Sequence, residues 1–316
     1  ALSLVMMAWD IKEGDAVFVP DFTFFASAEV VSFEGATPVF VDVDERTFNL
    51  DPDQLEKAIA VVKQQGKLRP RAVVAVDLFG QPADYERIEA ICKEHGLLLL
   101  EDGAQGFGGS IGERRACSFG DAATTSFFPA KPLGCYGDGG AVFTNDDQLD
   151  ELLRSLRVHG KSPVSKYDNV RIGVNSRLDT LQAAVLGVKL DAFASYELEA
   201  VNRAAQMYSE YLGEATKTPV VPEGFGSSWA QYTILLKDEA QRQKVQHALK
   251  EQGIPTMVYY PKPMHLQGAF DQLEQPVACP VTESLCQRVV SLPMHPYLSE
   301  EDIRFVSNAV KAALEE

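Results

Sequence analysis

The sequence predicts an α/β protein: a mostly parallel sheet covered on both faces, followed by a smaller α+β domain. Three observations predict it. From residue 15, strand-like apolar runs alternate with helical patterns: DAVFVP, TFFASAEVVSFEGA, PVFVDVD, DPDQLEKAIAVVKQQG, AVVAVDLFG, PADYERIEAICKEHG, LLLLEDGAQ, AATTSFF, GAVFTN. Such alternation builds βαβ units and a parallel sheet. Polar or glycine-rich stretches follow several strand ends (PDFTF, EDGAQGFGG, SFFPAKPLG), where ligands bind in sheets of this class. A long amphipathic segment, residues 176–212, then leads out of this layer. We expect residues 1–192 to form the large domain and 193–316 the small one.

The chain has 316 residues and 46% hydrophobic content, enough to bury a sizeable core. Its net charge of −16 argues against nucleic-acid and membrane-surface partners, which need clustered Lys and Arg, and leaves small metabolites. Cys92, Cys117, Cys135, Cys279 and Cys286 are odd in number, widely spaced and in no CxxC pair. That suits a reducing, cytoplasmic setting better than a disulfide framework. No apolar run reaches transmembrane length, no signal peptide stands out, and no metal is expected.

The elements follow in order. ALSLVMMAWDI reads as the second half of a buried helix with no capping residue before it, so a segment upstream is expected to be missing. After the first strand, PDFTFF offers Phe24 as an aromatic face. AVVAVD and LLLLED both end on an acid, Asp77 and Asp102. Each caps the next helix or pairs with a cation, since an unpaired carboxylate at the end of a buried strand costs several kcal/mol. Gly103, Gly106, Gly108 and Gly109 permit close backbone approach to a flat ligand or a phosphate. TTSFF is rich in β-branched and aromatic residues and is expected to end near Phe128, stopped by Pro129 and Pro132. Ser126 and the lone Lys131 therefore stand at the end of that strand, where one turn can aim hydroxyl and amine at the same molecule. From residue 193, WAQYTILL, the helical QRQKVQHALKEQG and the terminal EEDIRFVSNAVKAALEE make up the small domain. A carboxylate for a ring nitrogen, an amine for a carbonyl, a hydroxyl for a phosphate and an aromatic face together describe a pyridoxal phosphate pocket.

With these residues in place the sequence resembles the DegT/DnrJ/EryC1/StrS sugar aminotransferases, of the aspartate-aminotransferase fold (fold type I). PDFTFFASAEVV, GATPVFVDVD, LFGQPADYERI, EDGAQGFGG, SFFPAKPLGCYGDGGAVFTNDD, VNSRLDTLQAA and SLPMHPYL carry the resemblance over nearly the whole chain. It implies that Lys131 forms the Schiff base, Asp102 holds the pyridine nitrogen, Ser126 binds the phosphate and Phe24 stacks on the ring. It also implies Gln105 beside the ring hydroxyl and Asn175 reaching the phosphate of a partner subunit in a homodimer with shared active sites. The family's Ser-Gly-Thr phosphate cup lies just upstream of ALSLVMM. Phe24 replaces the Tyr or Trp often found at its position, keeping the stacking and losing the polar tip.

The resemblance is strongest to the branch that aminates a UDP-linked 2-acetamido-3-keto glucuronic acid in surface-polysaccharide (O-antigen, lipopolysaccharide) synthesis, with glutamate as amino donor. It pairs Arg177 with the sugar carboxylate, a contact suited to a planar guanidinium, which would equally suit the α-carboxylate of glutamate; an intrahelical partnership with Asp179 or a plain surface position is the competing role. Tyr259, Tyr260 and His265 are expected to line the sugar site, although Tyr259 stands where related sequences often carry histidine. Another 3-keto or 4-keto nucleotide hexose is the alternative substrate. Three other readings fare worse. A dehydratase of this fold would carry histidine in place of Lys131. A nicotinamide enzyme would need GxGxxG where this chain has PDFTFF. A silent regulatory homologue would have no need of Lys131, Asp102 and Ser126 together.

Overall fold

A computed structural model describes residues 1–165 and 167–315. Ten α-helices and eleven strands are named among them. After α1 (Leu2–Ala8), β1 (Asp15–Pro20) and α2 (Ala26–Phe33) come β2 (Thr37–Val41), α3 (Pro52–Gln65), β3 (Arg69–Val76), α4 (Tyr85–His95) and β4 (Leu98–Asp102). Two short strands, β5 (Ser110–Ile111) and β6 (Arg114–Arg115), precede β7 (Ala122–Ser126) and β8 (Gly140–Phe143). The main sheet runs β2-β1-β3-β4-β7-β8, parallel except for the antiparallel β7–β8 pair.

Both faces of this sheet are covered, and side-chain alternation divides one apolar run between two cores. On β1, Val17 and Val19 join Val74, Val76 and Leu100 in the core under α1, α2 and α5 (Asp147–Leu156). Ala16 and Phe18 join Val73, Ala75 and Leu99 in the core under α3 and α4. The middle of β1, residues 16–19, buried on both sides, is therefore apolar at every position. Helix limits follow local signals: Asp51 caps α3 by accepting from the Asp53 and Gln54 amides, and Gly66 ends it in the left-handed region.

Parallel order puts the C-terminal ends of β1, β3, β4 and β7 on one edge. Asp102 lies in register with Val76 and with Thr124. β7 stops at Ser126, two residues before the expected Phe128. Beyond it the chain turns, and the Lys131 amide donates to the Phe128 carbonyl at 2.9 Å.

The apolar helix α6 (Thr180–Ala192) passes through a π-helical turn, Phe193–Glu197, into α7 (Leu198–Leu212). β9 (Phe225–Gly226) closes a ribbon with β5 and β6. β10 (Tyr232–Leu235) and β11 (Val289–Leu292) pair antiparallel and share a separate core with α7, α8 (Glu239–Glu251) and α10 (Glu300–Glu315). The chain between α8 and β11 turns back: Met264, Phe270, Cys279 and Leu285, the last two at and within α9 (Pro280–Arg288), belong to the core of the main sheet. Asp42, just past β2, holds α9 there by accepting from the amides of Val281 and Thr282 and from the Thr282 hydroxyl. All five cysteines are buried and unpaired. Among the described residues no helix is long and apolar enough to cross a membrane.

Candidate active site

A cleft of about 1520 Å³ opens at the C-terminal edge of the main sheet. Asp102, Gln105, Ser126 and Lys131 line it, as do Phe24, Asn175, Arg177, Tyr259 and Tyr260. Residues scattered over more than two hundred positions converge because every strand of the parallel run delivers its following loop to one edge.

Lys131 sits partly buried on the turn after β7. Burial lowers its pKa, and the Asp102 carboxylate opposes that shift. Asp102 is only 4% exposed, at the tip of β4. Burial raises its pKa, while the Ser27 hydroxyl, the Ala104 amide and then Lys131 favour its charged form. Ser27, in the first turn of α2, donates to Asp102 Oδ2 at 2.7 Å, and the Ala104 amide donates to Oδ1 at 3.2 Å. The Ser126 hydroxyl oxygen accepts from the Phe128 amide at 3.2 Å and keeps its own proton to donate.

Gln105 is buried and its amide orientation is set by the backbone. Oε1 accepts from the Phe79 amide at 2.8 Å, so Nε2 turns to the Tyr260 hydroxyl at 3.1 Å. Phe24 is 54% exposed, with its ring 6.3 Å from that of Tyr260, and presents an open aromatic face to the cleft. Arg177 donates through Nε to Asn175 Oδ1 at 3.0 Å. Its two terminal nitrogens make no hydrogen bond or ion pair among the described residues, so Asp179 is not its partner there.

Residues 1–311 match the DegT/DnrJ/EryC1/StrS aminotransferase family. The chain belongs to this family. It is 43% identical over 311 residues to the UDP-2-acetamido-2-deoxy-3-oxo-D-glucuronate aminotransferase of Pseudomonas aeruginosa, covering 98% of this chain and 82% of the relative. It is 42% identical to the UDP-N-acetyl-3-dehydro-alpha-D-glucosamine 3-aminotransferase of Acidithiobacillus ferrooxidans, covering 99% and 82%. Among solved structures, a DegT/DnrJ/EryC1/StrS aminotransferase from Brucella abortus superimposes with a TM-score of 0.95 at 50% identity, covering 99% of this chain and 83% of that one. S. venezuelae DesV, solved with a ketimine intermediate, gives 0.92 at 36% identity, covering 100% and 82%.

The DegT-type fold is the one expected from the sequence, and the cofactor is pyridoxal phosphate. The residues present fit it. A buried carboxylate suits a protonated ring nitrogen, a partly desolvated amine suits an aldehyde, an open aromatic face suits a flat ring, and a hydroxyl proton suits a phosphate oxygen.

Three local expectations need correction. His265 does not line the cleft: its ring meets Asp21 Oδ2 through Nδ1 at 2.6 Å, and its backbone amide donates to Asp21 Oδ1 at 2.8 Å. This clasp pins the chain after Tyr260 to the end of β1. Cys279 brings its sulfur within 4.8 Å of the other two ligating atoms. A cation bound by both Asp21 and His265 at about 2.0 to 2.2 Å with tetrahedral angles would hold their atoms roughly 3.3 to 3.6 Å apart, so the 2.6 Å contact is a hydrogen bond.

The glycines after Asp102 make room for protein, not ligand. A Cβ at Gly106 would lie 2.2 Å from Asp77 Oδ2, and one at Gly108, where φ is +100°, 2.5 Å from Phe193 Cζ. Asp77 caps no helix; it accepts from the Tyr85 hydroxyl at 2.8 Å and the Ala83 amide at 3.3 Å. Burial and then Glu101 push its carboxyl well above the ordinary range, and its Oδ2 has no hydrogen-bond partner among the described residues.

Ser27 and Thr23 went unread in the sequence. Their signal is the i, i+4 pair of hydroxyls in TFFAS directly after β1, a spacing that aligns two side chains on one face of a helical turn.

Proposed function

We propose that this aminotransferase moves an amino group from glutamate to the 3-keto group of a UDP-linked 2-acetamido uronic acid, in the cytoplasm, as a step toward surface polysaccharide. When bound, pyridoxal phosphate supplies an aldehyde that carries the amino group and a ring that draws electrons from the reacting carbon. Asp102 holds the proton on the ring nitrogen. Phe24 covers one ring face, Gln105 approaches the ring hydroxyl, and Ser126 donates to the phosphate. Lys131 is the amine of covalent attachment; with its pKa lowered it takes a proton from the substrate carbon and returns it.

The observation that carries the substrate reading is Arg177, a guanidinium on the cleft whose Nε is held by Asn175 and whose terminal nitrogens are unspent among the described residues. That leaves a forked donor pair for a carboxylate, in a cleft that Tyr259 and Tyr260 also line and where we assign them the sugar-facing surface. The test is kcat/KM for the 3-keto uronic acid nucleotide and for the matching 6-hydroxymethyl sugar. Arg177 is exposed in the single chain, so loss of a charge-assisted, forked pair there should cost about 1 to 3 kcal/mol; the uronic acid should be favoured roughly 5-fold to 150-fold, and Arg177→Lys should lose most of that preference. Equal values in the wild type would move the substrate to the 3-keto hexosamine named for the second relative.

The working unit in this proposal is a homodimer whose subunits share sites through Asn175. α6 supports it: Leu186 alone of the helix is buried, whereas Leu181 and Val188 are 81% and 76% exposed. Exposed apolar area on this scale marks an interface. The proposal divides the chain at residues 192 and 193, where α6 enters its π-helical turn.

A further inference from the structure

Asp102 is held from behind by a short chain of hydroxyls. Ser27 Oγ lies 2.7 Å from Asp102 Oδ2, and Thr23 Oγ1 lies 3.2 Å from Ser27 Oγ. Thr23 and Ser27 are buried. A charged carboxylate only accepts, so the Ser27 proton must point at Asp102. The Ser27 oxygen is then free to accept, and the Thr23 hydroxyl is the donor that reaches it. The chain therefore has one polarity, Thr23 to Ser27 to Asp102, for as long as Asp102 is ionised.

The placement has a second consequence. Thr23 and Phe24 lie on the segment that joins β1 to α2 and Ser27 lies in the first turn of α2, so the residue proposed to cover the ring and the two that hold the ring-nitrogen acid sit within five consecutive positions. With Ser27 on Oδ2 and the Ala104 amide on Oδ1, both oxygens are fixed, and the carboxylate plane cannot rotate without breaking one of these bonds.

We propose that Ser27, oriented by Thr23, is a positioning residue that holds the Asp102 carboxylate ionised and fixed in plane toward the cleft. This rests on Asp102 being the partner of the ring nitrogen. Among the described residues the charged group facing Asp102 is the Lys131 amine, and the Tyr260 phenol is the further titratable neighbour. Burial works against the charged carboxylate. Ser27 is the O–H donor that offsets it, and short O–H···O⁻ bonds are among the strongest hydrogen bonds available in proteins.

The experiment uses full-length protein and two readouts besides turnover. In apoprotein with ¹³C-labelled aspartate, the Asp102 carboxyl signal, assigned by its loss in Asp102→Asn, is titrated in wild type, Ser27→Ala, Ser27→Thr and Thr23→Val. In holoenzyme made with ¹⁵N-labelled pyridoxal phosphate, the ring-nitrogen shift reports its protonation. We expect Ser27→Ala to raise the Asp102 pKa by about 1 to 2, to move the ring nitrogen toward its unprotonated shift, and to lower kcat about tenfold or more. Ser27→Thr restores all three, and Thr23→Val moves them part of the way. Wild-type titration and ring shift in Ser27→Ala, with Asp102→Asn changed, overturn the role of Ser27. An unchanged ring shift in Asp102→Asn itself overturns the reading of Asp102 on which the proposal stands.

Discussion

Gln105 and Tyr260, 155 positions apart in sequence, meet through an Nε2–H···O bond of 3.1 Å at the wall of the cleft. Tyr260 also packs edge-on against Phe22 at 6.1 Å between ring centroids. Tyr260→Phe keeps that packing and removes the hydroxyl, leaving one Gln105 N–H of a buried amide without its partner. We expect a melting temperature about 1 to 4 °C lower and a fall in kcat/KM of about 5- to 30-fold, the value of one or two kcal/mol. A loss of stability with full activity would give Tyr260 a purely structural role.

Lys131→Ala should abolish turnover and leave the fold intact, because the side chain makes no hydrogen bond or ion pair among the described residues. Borohydride reduction of the holoenzyme followed by peptide mapping should place the pyridoxyl label on Lys131. Recovery of the label on any other lysine sinks the assignment. Since burial lowers this amine's pKa, attachment should proceed at a pH below that needed by an exposed lysine.

The His265–Asp21 clasp makes stability depend on pH. The hydrogen bond to Asp21 is the largest cause that raises the His265 pKa in the folded protein. A raised folded pKa stabilises fully below the unfolded value of about 6.5, and that stabilisation is lost as pH rises through the folded value. His265→Gln removes it. Discounted for the partial exposure of the ring, the cost should be about 1 kcal/mol near pH 6 and should shrink above the folded pKa. Denaturant unfolding of both proteins at pH 6 and pH 9 measures it, and a gap that widens with pH would contradict the charged clasp.

Assembly is testable at α6. Leu181→Glu with Val188→Glu places charge on an apolar surface that makes no core contact in one chain, so the fold should survive while dimers dissociate in sedimentation velocity. Mixing inactive Lys131→Ala and Asn175→Ala subunits should restore activity to one of the two sites in the mixed dimer if Asn175 acts across the interface. No complementation would confine Asn175 to its own subunit.

Much of this protein was legible in its sequence. Strands buried on both faces are near-continuous apolar runs, so AVFV and AVVAV declare themselves, and parallel order sends their polar followers to one edge. Asp102 and Lys131 were readable as a buried acid and a lone amine because each breaks an otherwise apolar or small-residue stretch. What pairs with what was decided only by the tertiary structure. Asp102 meets Ser27 across 75 positions, and Asp21 meets His265 across 244. Neither distance leaves a periodic trace, since hydrogen bonds are set by side-chain direction at the end of a strand or turn. The glycines teach the same point. Gly106 and Gly108 are required by Asp77 and Phe193 packing against them, and a sequence records that a Cβ is absent without recording whether a ligand or the protein itself fills the space.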